Sequence, residues 1–180
     1  MLENEQNLIA KAATGDSEAF GALYDEYHPQ IYRFVFLKVS SKEDAEDLTH
    51  QVFINALEHM SGYRHQGFPF SSWLYRIARN AVIDHYRTRK EKVRLEDADP
   101  EVFAVSEDVQ ADTNRVLEFD KVRKAIAKLS DLHQDVIIMR FVEELAIREV
   151  ALALKKSEGA VKLLQHRAIA ELQRIISEPE

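Results

Sequence analysis

Side chains able to bind phosphate are concentrated in one basic segment, Phe70 to Arg94, of a chain that is acidic overall. From residue 71 the segment carries seven Arg and Lys against two acidic residues, a local net charge of +5, whereas the whole chain has a formal net charge of −7. Arginine forks bind phosphate and aromatic rings stack on bases, so this pattern suits an unpaired DNA strand. The residues on this side of the predicted helix are Arg76, Arg79, Asn80, Ile83 and Arg87, next to Tyr75 and Tyr86.

An apolar face of the same segment positions these side chains. Trp73, Ile77 and Ala81 form one line at helical spacing, beside a second line of Leu74, Ala78 and Val82. The spacing predicts an amphipathic helix, capped by Ser71 or Ser72. A solvated basic helix that binds nothing is the alternative at this point.

The composition indicates an all-helical globular protein. The 180 residues are 46% hydrophobic, include only five Gly and four Pro, and contain no long alternation of apolar and polar residues. The absence of cysteine excludes disulfides and thiolate metal sites within the chain. With no apolar run near ~18 residues and no signal-peptide pattern at the start, we expect a cytoplasmic protein without a membrane span.

The first half before the basic segment reads as three helices. The first helix covers Glu3 to Thr14. The second helix starts after a cap at Asp16 or Ser17, and Pro29 is expected to open or kink its continuation. The third covers Lys42 to Met60 behind a Ser41 cap, with Ala45, Leu48, Val52, Phe53 and Leu57 inward. Its outer face is acidic and rich in amides: Asp44, Glu46, Asp47, His50, Gln51 and Asn55. Simple solvation explains such a face as well as a basic partner does.

Two irregular segments flank the basic helix. The loop from Ser61 to Phe70 holds Tyr63, Phe68 and Phe70; it either covers the core or forms a pocket for a planar ligand such as an extruded base. Leu95 to Asp120 carries nine acidic residues and one Arg, a net of −8 without helical periodicity. We therefore predict a first domain at 1–94, an acidic linker at 95–113 and a second domain at 114–180.

The second half has the pattern of a helix-turn-helix. Helical spacing resumes from Asn114 to Leu129. Ser130 is expected to cap a second helix, which buries Phe141. A short third helix then precedes a turn at Lys155 and Lys156. Ser157 then caps a long final helix that presents Lys162, His166 and Arg167 outward. A plain helical hairpin remains the alternative.

Signals of catalysis are weak throughout the sequence. The seven histidines form no pair at metal-binding spacing that a third ligand supports, and no Gly-rich phosphate loop or nucleophile elbow occurs. We expect no catalytic residues, no cofactor and no metal.

In order and motif, the chain resembles bacterial RNA polymerase sigma factors of the extracytoplasmic-function group. Three motifs carry the resemblance: DAEDLTHQVF at Asp44 to Phe53, WLYRIARN at Trp73 to Asn80, and EVALALKKSEGAVKLLQHRAIAEL at Glu149 to Leu172. The resemblance implies an all-α chain of two small domains, a sigma domain 2-like bundle and a sigma domain 4-like helix-turn-helix. Its expected partners are the clamp and flap regions of core RNA polymerase, promoter DNA and an anti-sigma factor.

The resemblance also implies a role for individual residues. Core polymerase docking falls on Asp44, Glu46, Asp47 and Gln51. Binding of the melted minus-ten strand falls on Tyr63, Phe68, Arg76, Arg79, Asn80 and Arg87. Reading of the minus-thirty-five element falls on Ser157, Lys162, Leu163, His166 and Arg167. Two other functions remain open: a ligand-sensing or dimeric regulator whose last domain binds an operator, and an interaction protein that mimics a sigma factor.

Overall fold

The computed structural model of the chain describes residues 4–39, 41–63, 69–95 and 121–177. These residues form eight α-helices and no β-strand, so the predicted all-α class is confirmed. The helices are α1 (Glu5–Ala13), α2 (Ser17–Phe36), α3 (Lys42–His59), α4 (Phe70–Leu95), α5 (121–127), α6 (Asp131–Ile137), α7 (Ile147–Leu154) and α8 (Glu158–Ser177). The predicted linker at 95–113 lies outside the described residues apart from Leu95, the last residue of α4.

Helices α1 to α4 pack into one unit, which we call the N-terminal unit. The Asp16 side chain caps α2 by accepting from the backbone N–H groups of Glu18 and Ala19, and Ser41 caps α3 in the same way. Of the two outcomes expected at Pro29, the opening of a new helix is wrong, because Pro29 lies inside one continuous helix. Burial of Tyr27 and Ile31 on either side of it outweighs the cost of about 3 kcal/mol that an internal proline imposes.

The inward faces of α3 and α4 differ from the sequence prediction in three places. Leu57 is 53% exposed, because the buried line of α3 continues through Ala56 and Met60 instead. Trp73 is only partly buried, against Tyr63 and Phe70, whereas Tyr75, expected on the outer side, is fully buried.

The start of α4 also differs from the prediction. The helix begins at Phe70, so Ser71 and Ser72 lie within it and cap nothing. Both serines are buried, and Phe70 itself is fully buried in the core, as expected if this end of the loop covers the core.

Helices α5 to α8 form a second unit, which we call the C-terminal unit. After α6 the chain widens into a π-helical turn, Ile138–Val142, that leaves Phe141 exposed rather than buried as expected. Ser130 stands at the N-cap of α6 but its side chain makes no capping hydrogen bond, so that predicted cap is wrong. Helices α7 and α8 pack on each other around Val150, Ala151 and Val161.

The two units pack against each other, chiefly through α4 and α7. The Ser72 hydroxyl of α4 donates to the backbone carbonyl of Glu149 in α7 at 3.1 Å. This contact explains why the polar side of α4 is partly buried: the C-terminal unit covers it. No helix among the described residues is long and apolar enough to cross a membrane.

The turn between α7 and α8 is held by a Schellman motif. The backbone N–H of Lys156 donates to the carbonyl of Ala151 at 2.8 Å, and that of Lys155 donates to the carbonyl of Leu152 at 3.2 Å. Lys155 adopts the left-handed conformation (φ 53°, ψ 45°), in which a side chain crowds the backbone and glycine does not. The sharp turn that separates the two helices therefore contains one strained lysine.

Replacing this lysine by glycine tests the strain directly. We expect Lys155→Gly to raise the free energy of unfolding by about 0.5–1 kcal/mol, because relief of the left-handed strain exceeds the extra chain entropy of glycine. The measurement is urea unfolding followed by circular dichroism. Lys156→Gly is the matched control: it removes the same charge at a neighbouring position without positive φ, and should not stabilise. Equal effects of the two changes would contradict this explanation.

Candidate nucleic-acid and polymerase interfaces

Two of the predicted strand-binding residues on α4 are open to solvent. Asn80 and Arg87 are exposed, and Arg76 is half-buried between them and the start of the helix. Arg87 makes a surface ion pair with Asp84 at 3.3 Å, a kind of pair that contributes little stability and is readily exchanged for another anion. This part of α4 is available to a negatively charged ligand.

Tyr63 stands beside the start of α4 in a cluster of rings. Its ring centroid lies 4.8 Å from that of Trp73 and 5.4 Å from that of Phe70. Burial, followed by the charge of Glu5, raises the pKa of the Tyr63 hydroxyl, so the ring is neutral at physiological pH. Phe68, the other predicted aromatic residue of this loop, lies outside the described residues. Tyr63 with Trp73 provides one apolar wall on which a base can stack.

Arg79 is not free for a strand in this conformation. Its Nε donates to Oδ2 of Asp135, in α6 of the other unit, at 2.6 Å. The other carboxylate oxygen of Asp135 accepts from Nζ of Lys38, which follows α2. The side chains of Asp135 and Lys38 are 1% and 3% exposed, so this ion pair is almost completely removed from water.

A second ionic contact joins the units beside the first. Arg33 donates from Nε and Nη2 to the two oxygens of the Glu143 carboxylate, at 3.0 and 2.7 Å, and this pairing raises the pKa of the Arg33 guanidinium. The Tyr75 hydroxyl is buried close by without a hydrogen bond of good geometry; burial first, then the charge of Glu143, raises its pKa. The sequence analysis missed Lys38, Asp135, Arg33 and Glu143, because partners so far apart in the chain leave no local pattern.

The acidic face of α3 points away from the C-terminal unit. Glu46, Asp47 and Gln51 are exposed, with Gln51 Nε2 donating to Asn55 Oδ1 at 2.8 Å. Asp44 instead turns toward α4, where its carboxylate lies 3.8 Å from His85 Nε2 and 3.8 Å from Arg89 Nη1 across a shallow groove.

Two apolar residues extend the exposed face of α3. Ile54 and Leu57 are 51% and 53% exposed, and they continue the line of Asp47 and Gln51 along the helix. The sequence analysis assigned Leu57 to the core and did not single out Ile54. An acidic stripe that ends in exposed apolar residues has the composition of a protein-binding surface.

The outer face of α8 is open along its first turns. The Ser157 hydroxyl caps the helix by accepting from the backbone N–H of Ala160 at 3.2 Å, as predicted. Lys162, Leu163, His166 and Arg167 are all exposed, whereas Val161 and Ala168 on the opposite side are fully buried. The helix thus presents a polar, basic edge of the kind that enters a major groove.

Side-chain contacts fix α8 on its own unit. His133 Nδ1 in α6 lies 2.5 Å from Glu171 Oε2, and Arg140 Nε donates to Gln165 Oε1 at 3.0 Å. Within the described ranges no group of three or more His, Cys, Asp or Glu side chains is arranged to hold a metal ion.

Comparison with known protein families matches two separate parts of the chain to two family models. Residues 23–92 match the family model for Sigma-70 region 2, and residues 125–174 match that for Sigma-70, region 4. The first matched range covers most of α2, all of α3 and most of α4, and the second covers the end of α5, all of α6 and α7, and nearly all of α8.

Curated relatives extend this match over most of the chain. The ECF RNA polymerase sigma factor BldN of Streptomyces coelicolor is 36% identical over 172 residues, 94% of this chain and 64% of BldN. The ECF RNA polymerase sigma factor SigX of Bacillus subtilis is 32% identical over 163 residues, 87% of this chain and 83% of SigX. The sigma factor RpoE from Bartonella quintana, solved with the anti-sigma factor NepR, has the same fold, with a TM-score of 0.74 at 22% identity over 89% of this chain and 98% of the solved one. The chain therefore belongs to the ECF RNA polymerase sigma factors, which are transcription initiation factors and not enzymes.

Proposed function

We propose that this protein binds core RNA polymerase in the cytoplasm and directs it to specific promoters. The observation that carries the proposal is the placement of three separate surfaces on one chain of this family: the acidic face of α3, the basic side of α4 and the open edge of α8. The domains are proposed at 1–94 and 114–180, with the acidic linker between them.

Docking on the polymerase is assigned to α3. Glu46, Asp47 and Gln51 offer carboxylates and an amide to a basic partner surface on the clamp, and Ile54 with Leu57 adds apolar area beside them. Asp44 contributes from the edge, because its carboxylate also faces His85 and Arg89 of α4. A second docking contact, between the C-terminal unit and the flap, is part of the same proposal.

Strand opening is assigned to the loop before α4 and to α4 itself. Tyr63 and Phe68 take a base extruded from the minus-ten element, while Arg76, Asn80 and Arg87 bind the backbone of the displaced strand. Such capture stabilises the melted state without hydrolysis of a nucleotide, because each captured base and phosphate is bound only after the duplex has opened. Arg79 joins them once it leaves Asp135.

Reading of the minus-thirty-five element is assigned to α8. Lys162, His166 and Arg167 reach base edges and phosphates from a helix that Ser157 caps, and Leu163 supplies apolar contact. The proposed regulator is an anti-sigma factor, the kind of partner named for the solved RpoE complex.

The experiment that tests the function is transcription with purified core polymerase on a library of promoters. We expect the protein and core alone to initiate from a subset that shares upstream and minus-ten elements. A protein that binds palindromic duplex DNA as a dimer and supports no initiation with core would be a regulator instead. A protein that binds core but initiates nowhere would be a mimic of a sigma factor.

Charge reversal at Asp47 tests the docking face. We expect Asp47→Arg to weaken binding to core polymerase by about 1–3 kcal/mol, because an exposed carboxylate that meets a basic surface becomes a like charge. The measurement is a fluorescence titration of labelled protein with core. Glu18→Arg, the same charge change on an exposed residue at the start of α2, is the control and should bind normally. Unchanged affinity of a folded Asp47→Arg protein would remove α3 from the docking surface.

Asn80 is a sharper probe of strand opening than Arg79, because Asn80 is exposed whereas Arg79 is paired with Asp135. Asn80→Ala should slow open-complex formation on duplex promoters while leaving affinity for core unchanged, since the lost contact is made only with the opened strand. The measurement is the rate of open-complex formation, on a duplex and on a template melted in advance over the minus-ten element. A defect that the pre-melted template does not relieve at least in part would contradict a role in melting.

A further inference from the structure

Lys38 and Arg79 form a pair of cations on one side of the N-terminal unit. Both bind the same carboxylate: Lys38 Nζ meets Oδ1 of Asp135, and Arg79 Nε meets Oδ2 at 2.6 Å. The Arg79 side chain is 27% exposed, whereas Asp135 is fully enclosed, so the carboxylate inserts between the two cations and the arginine forms the solvent edge of the site.

Contacts inside the N-terminal unit hold Lys38 beside Arg79. The Tyr86 hydroxyl of α4 donates to the backbone carbonyl of Lys38 at 2.6 Å. The Lys38 ammonium also lies 5.4 Å from the centre of the Phe34 ring, within the range of a cation–π interaction. Neither of these two contacts involves the C-terminal unit, although the Lys38 ammonium also donates to the backbone carbonyl of Asp131 at 3.4 Å, so part of what positions Lys38 belongs to its own unit.

Two adjacent cations can bind one anion that accepts a hydrogen bond from each of them, as the Asp135 carboxylate does here. A carboxylate and a phosphate diester each present two oxygens that can accept from two donors at once, and guanidinium and ammonium groups bind both. Arg79 lies one turn from Arg76 and next to Asn80, on the side of α4 assigned to the opened strand. The anion that reaches this site in a promoter complex is therefore a phosphate of the DNA.

We propose that Lys38 and Arg79 together bind one phosphate of the opened minus-ten strand, and that Asp135 occupies this site when the two units are closed. The inference rests on the proposed function and adds Lys38 to the strand-binding residues. Closed packing and strand binding are mutually exclusive at this site, because one pair of cations cannot hold both anions.

The closed state leaves the other surfaces accessible. The basic edge of α8 and the acidic face of α3 are exposed in the closed molecule, and the strand-binding surface is occupied by Asp135 at Arg79 and Lys38 while Asn80 and Arg87 stay exposed. Asp135 thus delays strand capture until the units separate, and the Arg33–Glu143 pair supports the same closed packing.

The experiment compares the full-length protein with variants that open the interface. Asp135→Asn removes the competing charge and is expected to bind a fluorescent 20-nucleotide single-stranded DNA of randomised sequence about 5- to 10-fold more tightly at low salt. Glu143→Gln opens the interface without changing the Lys38–Arg79 site, so it should also raise the affinity for single-stranded DNA. This variant replaces Asp135→Asn if Asp135→Asn fails to fold. Circular dichroism checks the fold of each.

The role of Lys38 is measured in the open background. Adding Lys38→Met to Asp135→Asn should lower affinity by about 3- to 10-fold and reduce the slope of log affinity against log salt by about 0.7, the value for one phosphate contact with a single strand. Lys42→Met in the same background is the matched control, because Lys42 is an exposed lysine on α3 whose side chain pairs with Glu46 at 3.8 Å. Equal effects of the two lysine changes would overturn the site.

Opening itself is followed by fluorescence transfer. Since the chain has no cysteine, Glu18→Cys and Gln173→Cys place one label on each unit at exposed positions. Transfer should change in Asp135→Asn and Glu143→Gln, and in the parent when single-stranded DNA is added. No change in DNA affinity when transfer reports opening would overturn the competition between Asp135 and phosphate.

Transcription separates this inference from the proposed function. A parent protein that initiates with core, together with variants whose DNA affinity is unchanged, would overturn the Lys38–Arg79 site alone. Variants that bind DNA as described, in a protein that never initiates with core, would overturn the proposed function.

Discussion

The Asp135 carboxylate, buried between two cations of the other unit, is the contact on which the arrangement of the two halves depends. Removing a carboxylate and an ammonium from water costs several kcal/mol for each ion, and good geometry is required to regain it. Here each carboxylate oxygen has its own cation, so the charge is satisfied only while the units touch. When they separate, all three groups return to water, where charged groups are well solvated. This ionic contact is therefore satisfied in the closed molecule, and its three groups are solvated again when they separate.

Helix α4 belongs to both parts of the packing, because it contacts α2 and α3 of its own unit and α7 of the other. Phe70, Leu74 and Ala78 are fully buried, and α4 packs on α2 and α3 of the N-terminal unit. Toward the other unit, Ser72 and Arg79 make polar contacts, and buried apolar side chains of the two units belong to one continuous core. In the proposed open state Arg79 joins Asn80 and Arg87, which are already exposed, while the packing of α4 on α2 and α3 still holds the helix.

The sequence predicted well what depends on neighbours within a few residues. Ser41 and Ser157 cap the helices expected of them, because an N-cap and the backbone it binds lie within three residues of each other. The predictions of a new helix at Pro29 and of a buried Leu57 were wrong for the opposite reason. The packing of other helices decides the structure at these two positions, and local residue spacing carries no information about that packing. The exposed acidic, basic and reading faces were anticipated from charge and motif resemblance, but the burial of Tyr75 and the pairing of Arg79 were not.

The ion pairs between the units are the part of the site that could not be predicted from the sequence. Asp135 lies 97 residues from Lys38 and 56 from Arg79, and nothing near any of the three marks the others as partners. Pairing within one chain gives Asp135 a high effective concentration at the two cations. A single-stranded promoter segment has no such advantage, but it engages Arg76, Asn80 and Arg87 as well and releases counterions at each phosphate it neutralises. Asp135 therefore outcompetes isolated anions at the two cations, but a strand that binds along the whole length of α4 displaces it. The closed packing is in this way selective for the ligand that opens it.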